Sequence, residues 1–384
     1  MNLLVVLSRV PYPLDKGDKL RAFHQLKYLS KNHSISLFCL NEGAINPDSV
    51  QELQKICTRV KIIQFSKFQL LTNLFNGFFN QKPFQVNYFY SKKAQNAFDQ
   101  FVEELIPDAI FCQLIRTAEY VVKYSTIHKV LDYMDALSSA MDRRINNTGA
   151  FKKRMVKIEV KRLKAYEKRI ASEFNELVII SEQDRNSFSF KEKESIHVIS
   201  NGVDTNYFNP VDAKKEYDFL FVGNMSYPPN VDAAVHFVED ILPLIKSKKP
   251  NIKVMIAGTT PAPSVKALAS HNVTITGFLE DIRSAYNQSK VFVAPLRLGA
   301  GLQNKLLEAM SMSIPCITST LANNALMASE KEILVTDNKE EFANYCVELI
   351  KNNNFRNEIG ANGQDYIKAN FSWIINTKKL EGLF

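Results

Sequence analysis

The sequence predicts an α/β protein of two doubly wound, mostly parallel sheets in series. Three observations carry that expectation. Short apolar runs of the kind that form buried parallel strands alternate with amphipathic helix patterns. The alternation halts near residue 200 in a stretch of turn residues and restarts near residue 217. The chain has 384 residues, too long for one ordinary core and suited to two.

In the first half the expected strands are Leu3–Leu7, Ser34–Cys39, Val60–Gln64, Ala109–Cys112, Lys129–Tyr133, Glu176–Ile180 and His197–Ile199. Helix patterns lie between them at Lys19–Lys31, Asp48–Ile56, Lys92–Leu105 and Phe151–Glu173. Ligands of such sheets bind outside the carboxyl ends of the strands. The first such end runs from Ser8 to Arg21, where Gly17 lets backbone approach a ligand and Asp18 suits a helix N-cap. Arg21 either faces that ligand or belongs to an ordinary capped helix.

Asn201-Gly202 requires positive φ or a tight turn, and Asn209-Pro210 ends the segment. The boundary is therefore placed at 201–215, between an N-terminal domain at 1–200 and a C-terminal domain at 216–370. A last helix at 371–384 is expected to pack back toward the N-terminal domain. The second alternation has strands at Tyr217–Val222, Ile252–Ala257, Val273–Thr276, Val291–Ala294, Pro315–Thr318 and Ile333–Val335. Its helices are Val231–Lys246, Asp281–Gln288, Lys339–Lys351 and Asn354–Asn370. Three strands finish on glycine, at Gly223, Gly258 and Gly277. Two Rossmann-like domains in series imply a central cleft.

Composition narrows the function classes. The hydrophobic fraction is 46% and the charged fraction 23%, ordinary for a globular protein. No apolar run is long enough to cross a bilayer. The five cysteines lack CxxC spacing, and Cys39, Cys112 and Cys316 lie in apolar runs and read as small core residues, as expected of a reduced, cytoplasmic protein. The six histidines lack metal-ligand spacing, so no metal is expected. A net charge of +8 favours anionic partners, but no nucleic-acid motif accompanies it.

The most informative stretch is Pro295–Thr318. A buried strand runs through the turn Gly299-Ala300-Gly301-Leu302 into a helix whose apolar side is Leu302, Leu306, Ala309 and Met310. Free N–H groups and the helix dipole make such a turn an anion site. Arg297 and Lys305 add positive charge, and Glu308 shares a helix face with Lys305. A phosphate on the turn with hydroxyls on the carboxylate suggests a sugar nucleotide. Equally, the turn is only a tight connection and Glu308 pairs with Lys305.

Four pieces of the second half resemble retaining glycosyltransferases of family 4 (glycosyl transferases group 1), which have the GT-B fold. They are Val198–Asp204 with Phe208-Asn-Pro210, Phe219–Ala233 with Phe237 and Pro243, Thr276–Asp281, and Ala294–Met310 with Pro315. The resemblance implies a nucleotide diphosphate sugar donor, with no other cofactor, transferred to a hydroxyl of a glycan or lipid-linked acceptor, as in surface polysaccharide or capsule synthesis. It implies that Glu308 holds the ribose hydroxyls and that Gly277-Phe278 belongs to the base pocket. Gly17, Gly223, Asn224, Gly258 and Gly299–Leu302 then line the donor site. The family's first glutamate falls at Ala300, and its diphosphate Arg/Lys pair falls at Asn224 and near Pro229 or Asn230. Arg297 and Lys305 are therefore expected to compensate the diphosphate without a metal.

Retaining transfer needs an oriented acceptor and a stabilised leaving group rather than a protein nucleophile. Asp135, after the strand Lys129–Tyr133, either stands near the sugar or caps the next helix. His24 and His128 are weaker candidates. Arg143–Arg169 holds eleven Lys or Arg against Glu159 and Glu167, and reads as a helix for an anionic membrane surface or a solvated face. Phenylalanines between Phe65 and Phe89 add a greasy contact or ordinary core. This places the protein in the cytoplasm, peripheral on the inner membrane face. The competing functions are a sugar-nucleotide epimerase of the same fold and a non-catalytic sugar-nucleotide- or polysaccharide-binding subunit.

Overall fold

Apolar runs covered on both faces dictate parallel strands, and thirteen form among the described residues. In this computed structural model the described residues are 1–142, 150–299 and 301–384, with backbone alone for 150–152. Ala300 and the residues 143–149 at the start of Arg143–Arg169 lie outside them.

The chain divides into two units, Met1–Ser200 with Asn376–Phe384, and Asn201–Ile375. The first contains β1 (Asn2–Leu7), β2 (Ser34–Glu42), β3 (Arg59–Phe65), β4 (Ala109–Gln113), β5 (His128–Asp132), β6 (Glu176–Ile179) and β7 (His197–Val198). Their order is β3-β2-β1-β4-β5-β6-β7, all parallel. Alternate residues of β1 serve opposite faces. Leu4 and Val6 join one core with Phe38, Phe98 and Tyr120, while Leu3, Val5 and Leu7 join the other with Leu26 and Leu37.

The second unit contains β8 (Tyr217–Val222), β9 (Val254–Ala257), β10 (Val273–Gly277), β11 (Ser289–Ala294), β12 (Cys316–Thr318) and β13 (Leu334–Val335). Their order, β10-β9-β8-β11-β12-β13, repeats that of the first six strands of the first unit. In each sheet the strand order reverses beside the first strand, which opens a crevice at the carboxyl ends of β1/β4 and of β8/β11.

Local chemistry sets the helix limits. Ser91 Oγ accepts from Ala94 N–H to start Lys92–Leu105, and Asn338 Oδ1 accepts from Glu341 N–H to start Lys339–Lys351. Three details differ from expectation. The helix from Pro228 is interrupted by a π turn at Phe237–Ile241. Pro243 lacks the N–H that would reach Glu239 and crowds its carbonyl. Second, the aromatic run forms helices Lys67–Asn76 and Phe84–Phe89, joined through a 3₁₀ turn at Gly77–Phe79. Most of the large apolar side chains of Lys67–Phe79 point outward, and only Leu70 is buried there with Leu74 half-buried, so the inward stripe is too thin to announce a helix. Third, Gly202 does not have positive φ. A Cβ there would stand 2.5 Å from Trp373 N, because Val203 N–H bonds Phe371 O and the two segments pair side by side.

The five cysteines are buried and unpaired. Among the described residues no helix is long and apolar enough to cross a membrane, and no cluster of His, Cys, Asp and Glu could hold a metal. The C-terminal segment belongs to the first unit: Leu380 is buried, Glu381 accepts from Asn32 and His33, and His128 meets Leu383 O at 2.8 Å. His128 is thus structural.

Candidate nucleotide-sugar site

In the second unit the crevice is built from backbone first. Gly258, just past β9, has φ +141°, and a Cβ on it would stand 1.7 Å from Gly223 O. Its N–H donates to Gly277 O at 3.0 Å. Three strand ends are therefore drawn together at residues where no side chain intervenes. A Cβ on Gly223 would meet the Asn230 amide at 2.6 Å. Asn230, near the start of the helix Pro228–His236, donates to Asn224 O at 2.9 Å and accepts from Lys305 Nζ.

Lys305 lies in the first turn of Asn304–Ser311, directly after the glycine turn. Gly299 and Gly301 have φ of +98° and +85°. No side chain caps this helix, which leaves its N–H groups available to an anion. The Lys305 ammonium also stands 5.0 Å over the Phe221 ring. Burial pulls its pKa down to about 8, against the pull of Glu308. Burial pushes Glu308 up to about 7, opposed by a hydrogen bond from the Tyr286 hydroxyl at 2.9 Å and by Lys305. A cation and a carboxyl held near neutrality at one helix start make this crevice a candidate functional site.

The expected residues do not all converge. Gly223, Asn224, Gly258, Gly277 and Lys305 form one linked set, Gly299 packs against Pro229 next to Asn230, and Glu308 is one turn beyond Lys305. Phe278 projects beyond Gly277 and is 70% exposed. Leu302 is partly buried against the core of the unit. Arg297 turns to Asp232, making bonds of 3.1 and 2.7 Å, and lines a cavity of about 440 Å³ with His236, Ser319, Asp337 and Lys339. Sequence reasoning missed Tyr286 and the pairing of Asn230 with Lys305.

The first unit holds a second polar cluster at its strand ends. Arg9, just past β1, pairs with Asp18 at 3.2 Å. Asp18 is therefore not the expected N-cap: the helix Gly17–Leu29 begins two residues earlier than expected, at exposed Gly17, with Lys16 at the cap position and no side-chain cap. Arg116, just past β4, donates to Gln85 Oε1 at 3.2 and 2.9 Å. Burial, then Arg9, lowers its pKa, while Asp18, Asp135 and Glu42 raise it. Tyr88 donates to Glu42 at 3.2 Å.

Arg21 does not face a ligand. It is fully buried, and its Nε meets Asp132 at 2.5 Å. Gln25 and the Met134 N–H complete the Asp132 carboxylate. Asp135 is partly buried in the polar cluster. The Ser138 N–H, in the helix that follows it, is taken by Glu167 at 2.9 Å. Arg116 carried no sequence signal, being a single arginine in an otherwise unremarked loop.

The sequence model of the family glycosyl transferases group 1 matches residues 216–352, which contain this crevice. A 44.6 kDa protein of the cps region of Klebsiella pneumoniae is 25% identical over 398 residues, covering 96% of each chain. Sucrose-phosphate synthase from Thermosynechococcus elongatus has a similar fold, with a TM-score of 0.69 at 13% identity, covering 100% of this chain and 98% of that one. Anabaena HepE, solved in complex with UDP, gives 0.68 at 14%, covering 100% and 99%. The likeness to these GT-B structures concerns the fold.

Proposed function

We propose that this chain, whose second unit belongs to glycosyl transferases group 1, is a retaining glycosyltransferase of surface polysaccharide synthesis. Its donor is a nucleotide diphosphate sugar and its acceptor a hydroxyl of a glycan or lipid-linked glycan. The observation that carries this is the combination of partly buried Lys305 and Glu308 with an uncapped helix start beside three glycine-ended strands. The cps-region relative and the UDP complex of Anabaena HepE support the substrate class.

In this proposal the diphosphate rests on the N–H groups of Gly299–Leu302 and on Lys305, the ribose hydroxyls bond Glu308, and the base lies along Gly277-Phe278. The acceptor oxygen attacks the anomeric carbon on the face the diphosphate leaves. The C–O bond electrons depart with the diphosphate, and one of its oxygens takes the acceptor proton. Lys305 and the backbone N–H groups stabilise the growing phosphate charge. Arg116 and Asp135 belong to the acceptor side, and Arg297 shapes the loop through Asp232.

A thermal-shift screen of nucleoside diphosphates and their sugars is the test. One base stabilises the wild type, and Glu308→Ala abolishes the shift. A flat screen with folded protein at millimolar ligand overturns the proposal. Transfer that persists in EDTA supports metal independence. Binding with neither transfer nor hydrolysis supports a non-catalytic subunit instead, a reading favoured by Ala300 and Asn224 where the resemblance expects charge.

A further inference from the structure

Five large apolar side chains stand in solvent within one short stretch of the first unit. Phe68, Leu71, Phe75, Phe78 and Phe79 are 55–77% exposed. Scattered apolar residues are normal on a surface, whereas a contiguous aromatic ridge calls for a partner. The ridge is contiguous: Phe68, Leu71 and Phe75 follow at spacings of three and four on one helix face, and Phe75 meets Phe79 at 5.3 Å and Phe78 at 6.3 Å. Its helix, Lys67–Asn76, is held from beneath by buried Leu70 and by Asn73, which donates to Tyr88 O at 3.1 Å.

The ridge is fixed to a basic helix, Ala150–Ala171. Arg162 donates to Gly77 O at 2.6 Å and to Lys82 O at 3.2 Å, and lies 4.6 Å over the Phe84 ring. Glu159 accepts from the N–H groups of Phe84 and Gln85. The outward face of the helix carries Arg154, Lys157, Lys161, Lys164 and Lys168. Their spacing of three and four residues sets them in one stripe. At about 100° per residue the stripe is centred about a third of a turn from Arg162, whose guanidinium ties the helix to the segment that bears the ridge.

Charge on this helix is sorted by side. Its two acidic residues, Glu159 and Glu167, are both buried and both consumed as acceptors of N–H groups from neighbouring segments. The acids that do approach from other elements are Asp142, paired with Lys164, and Glu119, held by Lys82 and Arg169. The outer face is left cationic. A second copy of the chain docked there would set like charges together, and a neutral apolar partner would leave the stripe unanswered.

We propose that this face docks on an anionic phospholipid surface. The phenylalanines enter the boundary between headgroups and acyl chains, and the lysine stripe lies on the lipid phosphates. The proposal stands apart from the transferase reading, because none of its residues belongs to either strand-end cluster.

Flotation of the full chain with vesicles tests it. Protein should rise with phosphatidylcholine vesicles containing phosphatidylglycerol and remain below with phosphatidylcholine alone. Raising salt to ~1 M, where the Debye length is about 3 Å, should release most of it. The triple variant Lys157→Gln, Lys161→Gln, Lys168→Gln should bind about a hundredfold more weakly, from about 1 kcal/mol per cation. Phe75→Ser with Phe79→Ser should remove the salt-resistant fraction. All five positions are exposed, so an unchanged Tm is expected in both variants. Wild type that stays below with anionic vesicles at low salt overturns the proposal, as does vesicle binding indifferent to both variants. Salt-dependent binding of duplex DNA without vesicle binding also overturns it and gives the stripe to a nucleic acid. A dimer in sedimentation, lost with the two phenylalanines and without vesicle binding, overturns it in favour of self-association.

Discussion

The two units repeat one strand order yet arm their crevices differently, and their fourth strands show how. Arg116 stands three residues past β4 and Arg297 three residues past β11. Arg116 is partly buried, bonded to a neutral glutamine oxygen and surrounded by Arg9, Asp18, Glu42 and Asp135. Arg297 is half exposed and bidentate on Asp232. One arginine keeps its charge for the crevice, and the other has it largely answered. Beneath the crevice the roles reverse. The first unit locks its buried charges into Arg21–Asp132, while the second leaves Lys305 and Glu308 near their titration points. A shared sheet thus fixes where a ligand can sit, and a handful of partner side chains decides which charge it meets.

Breaking Arg21–Asp132 is the sharpest challenge to this contrast. Asp132→Ala strands a buried cation and should destabilise the first unit by about 3–5 kcal/mol. Urea unfolding followed in parallel with nucleotide binding checks it, and the donor affinity of the second unit should survive. Equal loss of both would dissolve the division of labour.

Lys305→Ala should lower turnover by about 10²- to 10³-fold, the scale of losing one leaving-group stabiliser. Steady-state kinetics reads it. Arg116→Ala should instead raise the acceptor KM, by an amount matching about 1.5–3 kcal/mol for hydrogen bonds to a charged group, with donor affinity constant. An effect on donor affinity equal to that of Lys305→Ala would erase the distinction between the crevices.

Titration sharpens it further. Burial holds Glu308 near 7, and it accepts ribose hydroxyls more strongly when ionised, so donor affinity should rise with pH through about 7. Lys305 rests near 8 and attracts phosphate only when protonated, so affinity should fall above about 8. A bound diphosphate favours the ammonium, so binding just above pH 8 should take up protons. Calorimetry in buffers of different ionisation enthalpy measures that uptake, and Glu308→Gln should flatten the acid limb and move the alkaline limb to lower pH, because the Glu308 charge helps to keep Lys305 protonated. The smallest expected effect is Arg297→Ala. Its charge is already answered by Asp232, so turnover should change by less than about tenfold.

The strands were legible because a covered parallel sheet leaves uninterrupted apolar runs such as Leu3–Leu7 and Val291–Ala294. The glycine turn and the helix start that carries Lys305 were legible because they are contiguous in sequence. What stayed hidden depends on distant partners. Asn230 lies 75 residues from Lys305, and Arg21 lies 111 from Asp132. Arg21 on a crevice-facing helix reads as a ligand until that partner is seen. The helix Lys67–Asn76 was hidden for the opposite reason: Phe68, Leu71 and Phe75 face water while Leu70 alone of its apolar residues is fully buried, and periodicity reports faces turned to a core.

The pairing of Val203 with Ser372 brings the chain's two crossings side by side, and Asn376–Phe384 then completes the first unit. Biosynthesis inherits an ordering problem from this. Ribosomes deliver residues at about 5–20 per second, and domains generally fold as they emerge. Here the N-terminal unit must wait for the whole of Asn201–Ile375 before the segment that contributes Leu380 and the partner of His33 is made. The nascent first unit is open along that edge in the interval. Removing the nine C-terminal residues should make that condition permanent, and would act on the beginning of the chain rather than its end.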